Sequence, residues 1–343
     1  MPVSQQIAIA IQDRSAIGEA RRISSRMAER AKLPSAELGR VPLIVTELAT
    51  NLQVHAQDGE VLLRILPADW GPGLEIIALD RGPGIADLAT CMTDGYSRGG
   101  TRGCGLGAVR RLSSEFGIYS SQPAGTVVVS RVSSAKSQPS RSAFCAISIP
   151  ARGETECGDG WHLRQSGDRL AAIVVDGLGH GPLAAAAAAS AVTAFGERWF
   201  ETPSAYLEAA DAAMRSTRGG AVAIAQIDLR STQLHYAGVG NIAGRIESSA
   251  GDKPQSMISH GGIAGVKLPK VRQFDYAWRD RDLLVMHSDG LSERWRLGDY
   301  PGLMRADVAL IAGILYRDAN RRRDDATVLV ARLRASSQPC RAN

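Results

Sequence analysis

Residues 45–56 read VTELATNLQVHA, and within them Glu47, Asn51 and His55 recur at every fourth position. Side chains one helical turn apart stack on a single stripe, so a carboxylate, an amide and an imidazole would share one face of an α-helix. Val45, Leu48, Leu52 and Val54 flank that stripe. A helix so composed can pack a core along one edge and line a wet pocket along the other. Taken alone, the stretch also fits a solvated surface helix with a chance polar triple. The segments around it decide between the two.

The chain has 343 residues, more than one ordinary hydrophobic core serves, and two domains are expected. Its 44% apolar and 22% charged content is that of a soluble globular protein. The net charge of +5 comes from arginines scattered through both halves, without a long basic block or interleaved aromatics. That pattern gives a general affinity for anions and argues against nucleic-acid readout. The five cysteines, Cys91, Cys104, Cys145, Cys157 and Cys340, are odd in number and lack C-x-x-C spacing. Neither a disulfide framework nor a zinc site is expected. The N-terminus MPVSQQIAIAIQDRS has no basic region before its short apolar stretch, and LAAAAAASAV is too short and too weakly apolar to span a bilayer. A cytoplasmic location without a membrane anchor is the expectation.

One segment interrupts the patterning. Residues 133–142, SSAKSQPSRS, are rich in serine and without apolar periodicity, and read as a linker between a domain over 1–132 and a domain over 143–334. Residues 335–343 read as a disordered tail. Before the linker the order is a strand near 5–11, a helix over 15–32, the helix carrying Glu47, strands EVLLRILP and GLEIIALD, a glycine-rich loop, the helix GLGAVRRLSSEF and the strands GIYSSQ and GTVVVSRV. This predicts an α+β sandwich with helices on one face of a mixed sheet. After the linker RLAAIVVDG, GAVAIAQIDL, QLHYAGVGN, IAGRIES, DLLVMHSDG and DATVLVARL read as strands, with helices in the Ala-rich run after Pro182 and over 204–215. A β-sandwich flanked by helices is expected there.

Two loops complete a pocket with the Glu47 helix. DRGPG, residues 80–84, places Asp80 at the end of the apolar strand LEIIAL, and Gly82 and Gly84 bend the chain immediately afterwards. RGCGLG, residues 102–107, opens directly into a helix, the arrangement by which backbone N–H groups hold phosphate. Each loop alone is a common turn. In this order ELATN, DRGPG and GCGLG resemble the N box and the two glycine boxes of the GHKL (Bergerat-fold) ATPases, and most of all the serine kinases that act on anti-sigma and anti-anti-sigma regulators, RsbT-like switch kinases included. The resemblance covers about residues 1–132. It implies that Asn51 ligates Mg²⁺ on the phosphates of ATP, that Glu47 polarises the attacking hydroxyl, that Asp80 accepts the adenine amino group, and that Gly103, Gly105 and Gly107 wrap the phosphates. An amide oxygen with phosphates suits Mg²⁺, and a carboxylate one turn away can take a serine proton. His55 is expected to pack or hydrogen-bond beneath the pocket. Arg98 and Arg102 in the loop between can touch phosphate or face solvent.

In the second half, aspartates sit at the ends of apolar strands: Asp176 in IVVDGLGHG, Asp289 in LLVMHSDG, and Asp324 in RRRDDATVLV just before one. With Asp159 of ECGDGWH they compose an oxygen-donor set for hard divalent ions, and two such ions activate a water for attack on a phosphoester. The order resembles the PPM serine/threonine phosphatases, SpoIIE branch, with RsbX-like members nearest. The resemblance spans about residues 143–334. It implies two Mn²⁺ or Mg²⁺ ions, with Asp176 bridging, the Gly177 carbonyl beside it, and Asp289 and Asp324 completing one ion. Asp159 is the least regular position, because CGDGWH departs from the family pattern. Asp325 is expected to cap or face solvent, with the choice between Asp324 and Asp325 open, and His180 is either an acid for the leaving serine or a turn residue.

The two resemblances together imply a bifunctional enzyme of a bacterial partner-switching stress response. It would phosphorylate and dephosphorylate serine or threonine of STAS-domain anti-anti-sigma or stressosome proteins, with a sigma factor or a downstream phosphatase as further partners. The rival readings are a nucleotide-dependent sequestering module and an ATP-gated phosphatase.

Overall fold

The computed structural model describes residues 6–66, 71–92, 105–134 and 142–333. The chain forms two compact units. One takes residues 4–138 together with Arg296–Asp318, and the other takes 139–295 and 319–343 with the first three residues. Residues 296–318, read from sequence as part of the 143–334 domain, fold with the N-terminal unit.

In the first unit the elements are β1 (Ile7–Ala10), α1 (Arg14–Arg30), α2 (Ser35–His55), β2 (Glu60–Ile65), β3 (Gly73–Leu79), α3 (Leu88–Cys91), α4 (Gly105–Leu112), β4 (Glu115–Ser121) and β5 (Gly125–Ser133). The strands make one five-stranded sheet in the order β1-β2-β3-β5-β4. Every pairing in it is antiparallel, where a mixed sheet is expected from sequence. Asp13 caps α1 by accepting from the backbone N–H groups of Ser15 and Ala16. Helix α2 buries Val41, Ile44, Val45, Leu48, Ala49 and Leu52, which pack with Leu74, Ile76 and Ala78 of β3. Helix α4 stops four residues short of the expected segment GLGAVRRLSSEF. Ser113 Oγ bonds the Val109 carbonyl and Ser130 Oγ, and the Ser114 N–H bonds the Arg131 carbonyl, which draws the chain off the helix and into β4.

In the second unit the elements are β6 (Ser142–Ile149), β7 (Asp159–Ser166), β8 (Arg169–Gly177), α5 (Pro182–Arg198), α6 (Pro203–Met214), β9 (Gly220–Asp228), β10 (Gln233–Val239), β11 (Ala243–Glu247), β12 (Gln255–Ser256), β13 (Phe274–Ala277) and β14 (Leu283–His287). The last strand of the second unit is β15 (Ala326–Leu333), and before it in the chain α7 (Val308–Ala319) belongs, but for its last residue, to the first unit. Two five-stranded sheets result, β13-β10-β9-β8-β7 and β12-β11-β14-β15-β6. Helices α5 and α6 bury Ala187, Ala191, Phe195, Tyr206 and Leu207 against Ile173, Val175, Val222 and Ile224 of the first of these sheets. This is the β-sandwich with helical flanks expected from sequence, with β6, β7, β12 and β13 as additional strands.

Helix α7 packs almost wholly in the first unit. Strands β3 and β5 are buried along both faces, Ile76 and Val128 toward α1 and α2, and Ile77 and Val127 on the opposite side. Such strands read as unbroken apolar runs because each face needs a cover. Helix α7 supplies the second one. A Cβ on Gly313 would press on Val127 and Ile77, and one on Gly117 would press on Leu310. Helices therefore lie on both faces of the sheet, not on one.

Under α7 lies a buried ion network. Arg64 Nη2 meets Glu75 Oε1 at 2.5 Å and Arg131 Nε meets Glu75 Oε2 at 2.8 Å, with the Glu75 side chain fully enclosed. Burial pushes the Glu75 carboxyl up, but the two guanidinium groups outweigh it and hold it below its ordinary value. Arg131 also reaches Asp307 Oδ2 at 3.2 Å, and Asp307 Oδ1 accepts the Ala309 N–H at the start of α7. Glu75→Gln removes the carboxylate that two buried guanidinium groups share, although Arg131 keeps Glu115 and Asp307, and a loss of about 3–5 kcal/mol is expected in denaturant unfolding. A change below about 1 kcal/mol would show that water already screens the network. Because the folded carboxyl is more acidic than the unfolded one, this stabilisation is present above the ordinary glutamate range and is lost as pH falls through the folded value.

Candidate functional site

The polar stripe of α2 lies where the opening stretch places it. Glu47 and Asn51 are half-buried at the edge of the α2 core face, whereas His55 is exposed and does not pack beneath a pocket. Val54 is 59% exposed and is not part of the core, contrary to expectation. Glu37 in the first turn and His55 in the last suit the helix dipole.

Asp80 follows β3 directly and is 9% exposed. Its Oδ1 accepts the Gly82 N–H at 2.7 Å, and burial raises its pKa despite that bond. Gly82 lies against the His55 carbonyl, and the Arg81 N–H donates to the Gln57 carbonyl, so the Asp80 turn abuts the C-terminal end of α2. Gly125 takes a φ of +87°, and any Cβ there would press into the Asp80 carbonyl. Gly84 also takes a positive φ, +73°, beside Ser121. Gly105 and Gly107 open α4, which packs on α2. The stripe, the Asp80 turn and the glycine start of α4 thus share α2 as a common neighbour. Gly103, Arg98 and Arg102 lie outside the described residues.

The second cluster is built by strand pairing. Asp159 at the start of β7 is the register partner of Asp176 near the end of β8, so the two carboxylates leave the sheet on the same face. Ser288 Oγ donates to Asp159 Oδ2 at 2.6 Å, while Asp159 Oδ1 is buried without a hydrogen-bond partner. From the facing sheet come Asp289, after β14, and Asp324 and Asp325, before β15. Asn241 Nδ2 donates to Asp289 Oδ2 at 2.7 Å. Asp325 is 3% exposed and does not face solvent; its Oδ1 accepts the Ala151 N–H at 2.8 Å and its Oδ2 is buried without a partner. It is Asp324 that is exposed, accepting the Asp325 N–H at 2.9 Å. Gly177 must lack a Cβ because the first turn of α5 presses on it through the Ala184 carbonyl.

Burial followed by the charges of Asp289, Asp324 and Asp325 lifts Asp176 to about 7. Burial followed by Asp176 lifts Asp159 well above the carboxylate range. Burial, with the Asp159 charge added, also pushes the Cys157 thiol up, so it stays protonated beside them. The donors are all oxygen, two buried oxygens lack partners, and like charges accumulate; this set fits hard divalent ions such as Mg²⁺ or Mn²⁺. Among the described residues no group of three or more His, Cys, Asp or Glu side chains stands at closed ligand geometry. Asp289 is turned to Asn241 and Asp325 to Ala151, so closing the cage takes side-chain rotation.

Ser288 and Asn241 hold two of these carboxylates, with Ser288 Oγ itself accepting the Thr327 N–H, and none of the three is singled out by the sequence reading. His180 Nδ1 pairs with Glu154 Oε1 at 2.6 Å on the exposed turn after Gly177. A cavity of about 230 Å³ lined by Asn241, Arg245, Met257, Ser259, His287 and Trp295 opens beside Asp289's partner.

A helix-backed antiparallel sheet with a strand-end aspartate, joined to a two-sheet sandwich with carboxylates between its layers, defines the class: a kinase-like ATPase domain linked to a PPM phosphatase domain. Residues 12–132 match the family described as histidine kinase-like ATPase domain, and residues 166–334 match stage II sporulation protein E, SpoIIE. The serine/threonine-protein kinase RsbT of Bacillus subtilis is 34% identical over 109 residues, 32% of this chain and 82% of that protein. The phosphoserine phosphatase RsbX of the same organism is 25% identical over 183 residues, 53% of this chain and 89% of that protein. A structure described as belonging to the bacterial stressosome, a modular system adapted to control secondary messenger signaling, aligns with a TM-score of 0.51 at 28% identity, over 56% of this chain and 99% of its own. A structure of RsbX with magnesium aligns with the same TM-score at 23% identity, over 56% of this chain and 95% of its own, and supports the fold. The chain belongs to the RsbT-related histidine kinase-like ATPase family in its N-terminal part, and its C-terminal part matches the SpoIIE family. No helix among the described residues is long and apolar enough to cross a membrane.

The raised Asp176 carboxyl fixes a sign for pH dependence. Folded protein holds a proton there that the unfolded chain releases near 3.8, so without metal the stability falls as pH rises from that value through about 7. In chelator the melting temperature should drop between about pH 4 and about pH 7, Mn²⁺ should restore it, and Asp176→Asn should flatten the profile. A chelated wild type with a flat profile would contradict the clustered charges.

Proposed function

We propose that the chain is a bifunctional regulator of a partner-switching pathway, phosphorylating serine or threonine of a STAS-domain protein with its N-terminal unit and removing phosphate with its C-terminal one. The observation that carries the reading is the Asp159–Asp176 pair on adjacent strands with Asp289, Asp324 and Asp325 facing it, because so many acids at one sheet edge have a use only around cations. The relationship to RsbT supports the kinase half, and the stressosome relative supports STAS-domain proteins as the partner class.

In the kinase unit Asp80 accepts the adenine amino group, and Gly82, Gly84, Gly103, Gly105 and Gly107 let the backbone approach the nucleotide. Asn51 would hold Mg²⁺ on the phosphates, where the ion neutralises developing charge. Glu47, one turn before Asn51, takes the proton of the attacking hydroxyl. In the phosphatase unit Asp159, Asp176, the Gly177 carbonyl, Asp289 and one or both of Asp324 and Asp325 would hold two Mn²⁺ or Mg²⁺ ions, which supply an activated water for attack on the phosphoester. Ser288 and Asn241 hold Asp159 and Asp289 in orientation, and the cavity beside Asn241 gives the substrate segment room to enter.

With labelled ATP and STAS-domain proteins, Glu47→Ala should keep nucleotide binding and lose transfer by a factor of about 10²–10⁴. Asn51→Ala should lose Mg-ATP binding instead. Equal nucleotide affinity in wild type and Asn51→Ala would overturn the assignment. Hydrolysis of phosphoserine peptide should require Mn²⁺ or Mg²⁺ and vanish in Asp176→Asn; activity that persists in excess chelator would rule out the cage.

A further inference from the structure

We propose that nucleotide binding is transmitted from Asp80 to the phosphatase sequence through Arg317, a positioning residue that helix α7 brings to the nucleotide site. The proposal rests on the reading that the N-terminal unit binds nucleotide, and adds a mediator to it.

Arg317 is 3% exposed, and its Nη1 donates to the main-chain carbonyl of Asp80 at 2.9 Å. The same carbonyl is enclosed on its other side by Gly125. Arg317 Nε and Nη2 are held by the Asp318 carboxylate at 2.8 and 2.7 Å, and Tyr300 Oη donates to Asp318 at 2.9 Å. Arg81, next to Asp80, donates back to the Arg317 carbonyl. The turn that carries the adenine-recognising carboxylate is thus clamped by one guanidinium on each side. A buried guanidinium tolerates few alternatives, because leaving its donors unpaired is costly. Any shift of the Asp80 turn on nucleotide binding must carry Arg317 with it or break the clamp.

Arg317 does not come from the ATPase sequence. It lies between Asp289 and Asp324, inside the region matching SpoIIE. Immediately after it the chain is tied beside the carboxylate cage: the Ala319 carbonyl accepts the Ser292 N–H at 2.8 Å, and the Arg321 N–H donates to the Gly290 carbonyl at 2.9 Å. Gly290 follows Asp289 directly, and a Cβ on it would press on the Asp325 main chain. Three residues of backbone, 318–320, therefore separate the group that holds Asp80 from the Arg321 bond that holds the Asp289–Gly290 turn. Ordering of α7 by nucleotide fixes that turn and raises phosphatase activity, and by linkage phosphatase metal strengthens nucleotide binding.

The test uses the full chain in excess Mn²⁺ with the β,γ-imido analogue of ATP. In wild type, saturating analogue should slow amide exchange in peptides covering residues 308–322 and raise hydrolysis of p-nitrophenyl phosphate by about 5-fold or more. Arg317→Ala should weaken analogue binding and lose the rate response at saturating analogue, and Arg317→Lys, which keeps a donor, should regain part of both. Analogue that binds wild type without changing either exchange or rate overturns the proposal while leaving nucleotide binding intact. A full rate response retained in Arg317→Ala also overturns it. Absence of analogue binding to wild type overturns the nucleotide-binding reading and the proposal together. Should Arg317→Ala fail to fold, the two wild-type measurements decide alone.

Discussion

Strands β3 and β5 are apolar on both faces, and a sheet in that condition cannot leave one face in water. Much of the N-terminal unit follows from this constraint. Helices α1, α2 and α4 cover one face, and the C-terminal end of α2 meets the Asp80 turn after β3. The other face takes α7, whose entry is fixed where Asp307 meets Arg131 over the buried Glu75. Covering both faces also positions Asp80, because its carbonyl ends up between Gly125 of β5 and Arg317 of α7. The core and the candidate nucleotide site are one packing problem.

The second unit solves a different one. Its two sheets are ordinary antiparallel layers, but the cross-strand pairing of Asp159 with Asp176 puts like charges where hydrocarbon would be cheaper. Ser288, Asn241 and the Ala151 N–H offset part of that cost by giving single carboxylate oxygens a donor. The remaining orphaned oxygens, on Asp159 and Asp325, are what a divalent ion would satisfy. Such a site gives up stability in exchange for chemistry, as strained functional sites do.

Much of this is legible in the chain itself. The four-residue period of Glu47 and Asn51 puts both on one half-buried stripe of α2 because helix geometry is local. Asp176 and Asp289 stand out because each follows an apolar run, and Asp324 and Asp325 because they precede one. What is not legible is long-range. The DD pair before β15 gives no hint which member is buried, and burial of Asp325 is set by Ala151, far away in sequence. Exposure of His55 depends on what α2 packs against near its last turn. The departure of residues 296–318 to the N-terminal unit follows from the unmet second face of β3 and β5, and the apolar composition of α7 alone could equally have served its own sandwich. The apolar run of β3 carried half of that message, since a strand without alternation needs two covers.

The central claim is that one substrate meets both activities on one chain. Both units belong to one chain, so a partner docked on either would meet the other at an effective concentration on the order of millimolar. Intact-mass measurement of phosphate occupancy on a STAS-domain protein incubated with ATP and either wild type or Asp176→Asn tests this directly. The account predicts higher steady-state occupancy with Asp176→Asn, because the opposing activity is gone. Equal occupancy with both proteins would contradict it and would mean that the two domains serve different substrates.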